Sequence, residues 1–385
     1  LASSITLVAR EAGRVGWDRF RPGPGALPAG GDALTPSFIE RAASWPAGAI
    51  RSVEVLDEHH GTAGRVRAAL DRSSRAPAEI PGTVFVKLTP RSLVQRLMMN
   101  LYDLASREVL FYSSIASDAP VRTPECHSAV IDPRRGRNVM LLEDLDGKAE
   151  FRDIRDPVTI EEAGRVLDAL ADLHAAFWES PRFAADMAPL RSRKPAAERI
   201  GNMFVDRVLA RPKGSPAEVI PADVAAHARR VVARRPEIDA LWRRQPQSLC
   251  HGDTHLGNLF FEGDTPGFLD WQATLMAPSL RDVSYFLVSS VDPADLAGAE
   301  RGLVDRYAER LAANGIGIER GRAWETYRAI AVEIYVAAVV TAGTSDRMQP
   351  PEISKVGVVR VNEAVQRLDT FGVLEKMLDD APGAG

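Results

Sequence analysis

Leu249-Cys250-His251-Gly252-Asp253-Thr254-His255-Leu256-Gly257-Asn258, followed by Gly267-Phe268-Leu269-Asp270-Trp271-Gln272, is the stretch on which the reading of this chain turns. An Asn follows Asp253 five residues later, and a second Asp ends what reads as a short hairpin. Three oxygen-bearing side chains are thereby set at fixed intervals. Asp253 offers a carboxylate that can accept or orient a hydroxyl proton. Asn258 offers a neutral amide oxygen and Asp270 a second carboxylate, donors that suit a hard cation such as magnesium.

The run His-Gly-Asp-x-x-x-x-Asn with its following Leu-Asp resembles the aminoglycoside phosphotransferase and choline kinase branch of the protein-kinase-like fold. With Thr254-His255-Leu256-Gly257 in the middle and Leu269-Asp270-Trp271-Gln272 after it, the segment is most similar to the ecdysteroid-kinase-like small-molecule phosphotransferases. The likeness covers roughly residues 50 to 345. It implies a bilobal α+β fold, with a small β-rich N-lobe carrying one key helix and a larger α-rich C-lobe. It further implies ATP and Mg2+ as cofactors, Asp253 as the catalytic base, Asn258 and Asp270 as metal ligands, and Asp282 as a support for the backbone of the catalytic loop.

Upstream, Ser52 to Glu58 and Gly64 to Leu70 alternate and are joined by His59-His60-Gly61-Thr62-Ala63, a hairpin pattern. In the resembled fold such a tip covers nucleotide phosphates, so Thr62 and Gly64 are candidate phosphate neighbours, although the pattern Gly-x-Gly-x-x-Gly is absent. Thr83 to Leu88 reads as a third strand, and a lysine near the end of a buried strand must snorkel or find an anion. Leu97, Leu101, Leu104, Glu108, Phe111 and Ile115 recur at helical spacing, which puts Glu108 on an apolar stripe and makes it the partner expected for Lys87. The resemblance implies that Lys87 reaches the nucleotide α/β-phosphates and Glu108 orients it. Asn138 to Leu145 resembles the linker between lobes, where main-chain atoms of Glu143, Asp144 and Leu145 would meet the adenine edge.

Residues 1–49 read as an N-terminal extension with short helices, 50–145 as N-lobe and hinge, and 146–385 as a helical C-lobe with an acceptor-site insertion near 180–247. Thr35 before Pro36 marks a helix start. His174 falls on the apolar stripe of a helix over Ile160 to Trp178, the position of a hydrogen-bonded core histidine. Ala329 to Ala342 contains Glu333, is too short for a bilayer and reads as a buried helix.

A net charge of -4 over 385 residues speaks against nucleic acid as the main partner. The two cysteines, Cys126 and Cys250, lack metal-type spacing and fit a reducing, cytoplasmic setting. The partner expected is a small-molecule hydroxyl acceptor, with no membrane span. Two other readings stand beside this one. A nucleotide-binding pseudokinase scaffold would not need the base. A His/Asp metallohydrolase would take His251, Asp253 and His255 as alternating ligands, yet it leaves Asn258 and Asp270 unexplained. In the phosphotransferase reading, His251 and His255 brace the loop by hydrogen bonds.

Overall fold

The computed structural model describes residues 2–20, 26–60, 63–191, 195–210, 213, 216–342 and 351–380. They fall into two units, Leu1–Ser117, Thr123–Ala149 and Arg193–Ala197 in the first, Asp118–Arg122, Glu150–Ser192 and Glu198–Gly385 in the second.

In the first unit come helices α1 (Ala2–Phe20) and α2 (Pro36–Ala42), strands β1 (Ile50–His60), β2 (Gly64–Arg72) and β3 (Thr83–Leu88), helices α3 (Leu93–Leu101) and α4 (Leu104–Ser114), and strands β4 (Cys126–Asp132) and β5 (Arg137–Glu143). The strands pair antiparallel in the order β1-β2-β3-β5-β4. Alternation sorts the two faces, as the two-residue period of a strand requires. Val66, Ala68, Val84, Val86, Leu88, Val139 and Leu141 pack into one core with Ile39 of α2. Phe85 and Lys87 therefore project from the opposite face, where Lys87 meets Glu108 of α4. Thr35 caps α2, its hydroxyl accepting from the Phe38 N–H.

Two expectations for this unit change. The single helix over 97–115 is two helices, broken at Asp103, whose φ of 57° is left-handed. Aspartate tolerates that region better than most residues, and the break lets Glu108, Phe111 and Ile115 turn inward while Met99 and Leu101 bury separately. The N-terminal residues supply a helix of 19 residues, not only short ones. That helix is docked into the unit by Asp18, buried against Arg96 at 2.8 Å and Arg137 at 2.6 Å.

The second unit holds β6 (Glu150–Phe151), α5 (Ile160–Ala176), α6 (Pro195–Leu209), α7 (Ala222–Ala233), α8 (Arg235–Arg243), β7 (Ser248–Cys250), β8 (Leu259–Glu262), β9 (Thr265–Phe268), β10 (Leu275–Ala277), α9 (Leu280–Ser290), α10 (Pro293–Ala313), α11 (Arg320–Ala342), α12 (Pro351–Arg367) and α13 (Thr370–Asp379). Thr159 and Glu162 close a capping box at the start of α5. Central to the helical core is α11, whose buried Glu333 takes hydrogen bonds from Arg235 at 2.9 Å, Arg281 at 3.1 Å and the Trp242 indole at 3.0 Å. Burial opposes its charge, but the two arginines and the indole outweigh it and hold the carboxyl down to about 2. A β-rich unit followed by an α-rich one is the two-lobed α+β fold expected from the sequence. Among the described residues no helix is long and apolar enough to cross a membrane.

Candidate functional site

The loop after β7 is shaped by Gly252. Its φ is +85°, and a Cβ there would lie 2.4 Å from the Ala273 carbonyl oxygen, so only glycine fits. This turn aims two successive N–H groups at one carboxylate: His251 N–H donates to Asp282 Oδ2 at 2.6 Å and Gly252 N–H to Oδ1 at 2.8 Å. Asp282 sits in the first turn of α9, where a helix N-terminus favours negative charge. Its burial works against ionisation, yet the hydrogen bonds it accepts keep its pKa below the ordinary carboxylate value. Two further bonds tie the loop along α9, Thr254 Oγ1–H to the Asp282 carbonyl at 2.8 Å and Leu256 N–H to Ser290 Oγ at 2.9 Å.

Held this way, Asp253 and Asn258 meet. The Asn258 amide Nδ2 donates to the Asp253 carbonyl at 2.8 Å and to Asp253 Oδ2 at 3.0 Å. Both partners are acceptors, which fixes the amide orientation and turns Oδ1 away from Asp253. Leu269 joins the third oxygen donor to this pair. Its N–H donates to the Asn258 carbonyl at 2.8 Å and its carbonyl accepts from His251 Nε2 at 2.7 Å. The next residue, Asp270, has φ 61° and ψ 58°, the left-handed conformation that Asp103 also adopts and that aspartate tolerates. Tyr285 of α9 lies beside Asp253; burial and that carboxylate hold its phenol well above the usual value.

In the first unit Lys87 Nζ donates to Glu108 Oε1 at 2.6 Å, with both side chains nearly inaccessible to solvent. Gly64 opens β2 on the core-facing side, where a Cβ would approach Leu88 Cβ to 3.3 Å, so its smallness serves packing against β3. Thr62 lies outside the described residues. Of the segment expected to meet the base, Glu143 N–H is already bonded to the Glu125 carbonyl at 2.8 Å, and the Leu145 carbonyl accepts from Lys148 and Ala149. The Asp144 side chain is buried and gripped by Arg67 of β2 at 3.1 to 3.2 Å.

His251 braces the loop as expected, with both ring nitrogens engaged: Nε2 on the Leu269 carbonyl and Nδ1 accepting from Asp253 N–H at 3.3 Å. Burial lowers its pKa and keeps the ring neutral. His255 differs from its expectation. Its Nε2 is 3.7 Å from Asp253 Oδ2, too long for a hydrogen bond, and its buried Nδ1 has no partner among the described residues. Its ring instead packs near Tyr285 and over Gly257. The metallohydrolase ligand set therefore fails, because His251 has no lone pair left for a metal. Among the described residues the cluster with metal-like spacing is His174, Cys250 and Asp282. There burial pushes the Cys250 thiol up, and the carboxylate is spent on the loop.

Arg67 and Tyr285 escaped the sequence reading. Each acts on a residue far away in the chain, and neither belongs to a local pattern that would single it out.

The sequence profile of the phosphotransferase enzyme family matches residues 49–329. The chain belongs to that family. As a member it is a phosphotransferase with an alcohol group as acceptor. No curated protein matches the sequence. Among solved structures, choline kinase from Cryptosporidium parvum Iowa II is similar at a TM-score of 0.55 and 12% identity, over 89% of this chain and 99% of that one. The AMP-bound spectinomycin phosphotransferase is similar at 0.51 and 14%, over 87% and 98%. At such identities the likeness is one of fold.

Proposed function

We propose that this family member is an ATP- and Mg2+-dependent O-phosphotransferase acting on a small hydroxylated molecule in the cytoplasm. The observation that carries the reading is the Asp253–Asn258 pairing, which leaves one Asp253 carboxylate oxygen outside the amide bond and presents the Asn258 amide oxygen elsewhere. Asp253 orients the acceptor hydroxyl and takes its proton as the oxygen attacks the terminal phosphorus and the bond from that phosphorus to the β-phosphate oxygen breaks, releasing ADP. Asn258 Oδ1 and the Asp270 carboxylate form an all-oxygen donor set, the type magnesium prefers, and would hold it. The bound ion would neutralise charge on the triphosphate. Lys87, kept in place by Glu108, serves the α/β-phosphates, and main-chain atoms of the Glu143 to Leu145 segment meet the base.

Aminoglycoside-like antibiotics, choline-like amino alcohols, steroid-like alcohols and hydroxyacyl thioesters are the acceptor classes to try, following the family resemblance. The test is ADP release with Mg·ATP across such a library. Acceptor-dependent release supports the proposal. Mg·ATP binding with no release against any alcohol would favour the pseudokinase scaffold instead.

A further inference from the structure

We infer that Arg67 and Asp144 form a clamp that positions the segment after β5 for the nucleotide base, so that Arg67 is a positioning residue for nucleotide binding; this rests on the function proposed above. Arg67 stands on β2 opposite Phe85 of β3, and Phe85 stands opposite Leu142 of β5. Residues directly opposite in antiparallel strands share a face. Arg67 therefore rises from the face that carries Lys87, which is itself opposite Arg65 and Met140. From there its guanidinium reaches Asp144, two residues beyond Leu142, and crosses over β3 to do so.

The contact is a fork. Arg67 Nε lies 3.2 Å from both carboxylate oxygens of Asp144 and Nη2 lies 3.1 Å from Oδ2, while Nη2 also meets Asp146 Oδ2 at 2.8 Å. Asp144 is 4% exposed, and its Oδ1 accepts the Asp146 N–H at 3.1 Å as well. A buried carboxylate deprived of its cation is costly and turns toward water. Because this one also holds the peptide two residues on, the main chain of 144–146 would turn with it. On the other flank Glu143 is tied to the residue before β4, its N–H donating to the Glu125 carbonyl at 2.8 Å and its carboxylate accepting the Glu125 N–H at 3.3 Å. The segment is thus gripped from both sides of β5. The sheet does not need the ion pair for its cohesion, since β2, β3 and β5 are already joined by continuous ladders. What the clamp adds is a fixed direction for the main chain of Glu143 to Leu145, and hydrogen bonds to a planar base weaken steeply with misdirection.

The test measures calorimetric affinities for AMP, ADP and ATP, together with ADP release from Mg·ATP, in the full chain and in Arg67→Met, Arg67→Lys, Asp144→Asn and the double variant Arg67→Met/Asp144→Asn. Arg67→Met is expected to weaken all three nucleotides by the same factor of about ten, the scale of one or two hydrogen bonds to the moiety they share. The KM for ATP should rise with it while kcat stays within about two-fold. Arg67→Lys keeps a counter-charge for the fold but not the fork, and should lose about three-fold. The double variant should bind no more weakly than the worse single one, because the two side chains act as a unit. Unchanged affinities in Arg67→Met and Arg67→Lys would overturn the inference. So would a loss that grows from AMP to ATP, which puts Arg67 at the phosphates, or losses that add in the double variant. A wild-type chain that binds the nucleotides yet releases no ADP sinks the proposed transfer reaction while the affinity ratios still decide the clamp; one that binds none of them sinks both.

Discussion

Asp253 owes its position to neighbours more than to contacts of its own. Gly252 makes the turn, Asp282 catches the two peptides before it, and Asn258 binds its carboxylate. Asp253→Asn should leave Mg·ATP affinity nearly intact and lower turnover by about 10²-fold or more, as steady-state kinetics beside calorimetric binding would show. Near-wild-type turnover would remove Asp253 from its role. Gly252→Ala should cost about 1–3 kcal/mol in chemical unfolding and disable the loop, because a Cβ meets the Ala273 carbonyl and φ is positive. In the β-rich unit, Glu108→Gln removes the carboxylate to which buried Lys87 donates at 2.6 Å. Loss of one partner of such a pair costs about 3 kcal/mol or more, so a destabilised variant with raised KM for ATP is expected; unchanged stability would mean the ammonium finds water.

Among the elements, strands and helices with a clean period were legible in the sequence. The β1–β2 hairpin, β3 and α5 were all read from alternation or helical spacing, because each buries one regular face. The break between α3 and α4 was not, since a stripe running from Leu97 to Ile115 satisfies one helix or two equally well and only the left-handed Asp103 decides. The proposed catalytic loop stands out in the sequence because its three oxygen donors lie within 18 residues of chain, from Asp253 to Asp270. Of what supports the loop, Asp282 is expected from the resemblance, whereas its contact with His174, 108 residues away, has no local sign in the sequence. The buried network around α11 gives a test at this scale. Glu333 ionises near 2 in the folded chain against an ordinary 4.5, so it contributes stability that is fully present above pH 4.5 and lost as pH falls toward 2. Glu333→Gln should lower stability at neutral pH and flatten its decline between those values in urea unfolding. An unaltered slope would mean the two arginines do not hold the charge.

In the molecule as a whole, the β-rich unit carries Lys87 and the helical unit carries Asp253, Asn258 and Asp270. Asp270→Ala should abolish the magnesium dependence of nucleotide binding while sparing the fold, and a magnesium titration with unchanged affinity would contradict its role as a ligand. Acceptor choice is the property least written in local pattern. In the insertion proposed as the acceptor site, residues 180–247, no short motif fixes a chemistry. The most direct measurement is mass-spectrometric detection of a phosphorylated alcohol after incubation with Mg·ATP and the acceptor library. A phosphate ester formed by the wild-type chain and lost in Asp253→Asn is the predicted result. An ester formed equally by both, or none from any alcohol despite tight Mg·ATP binding, would contradict the account.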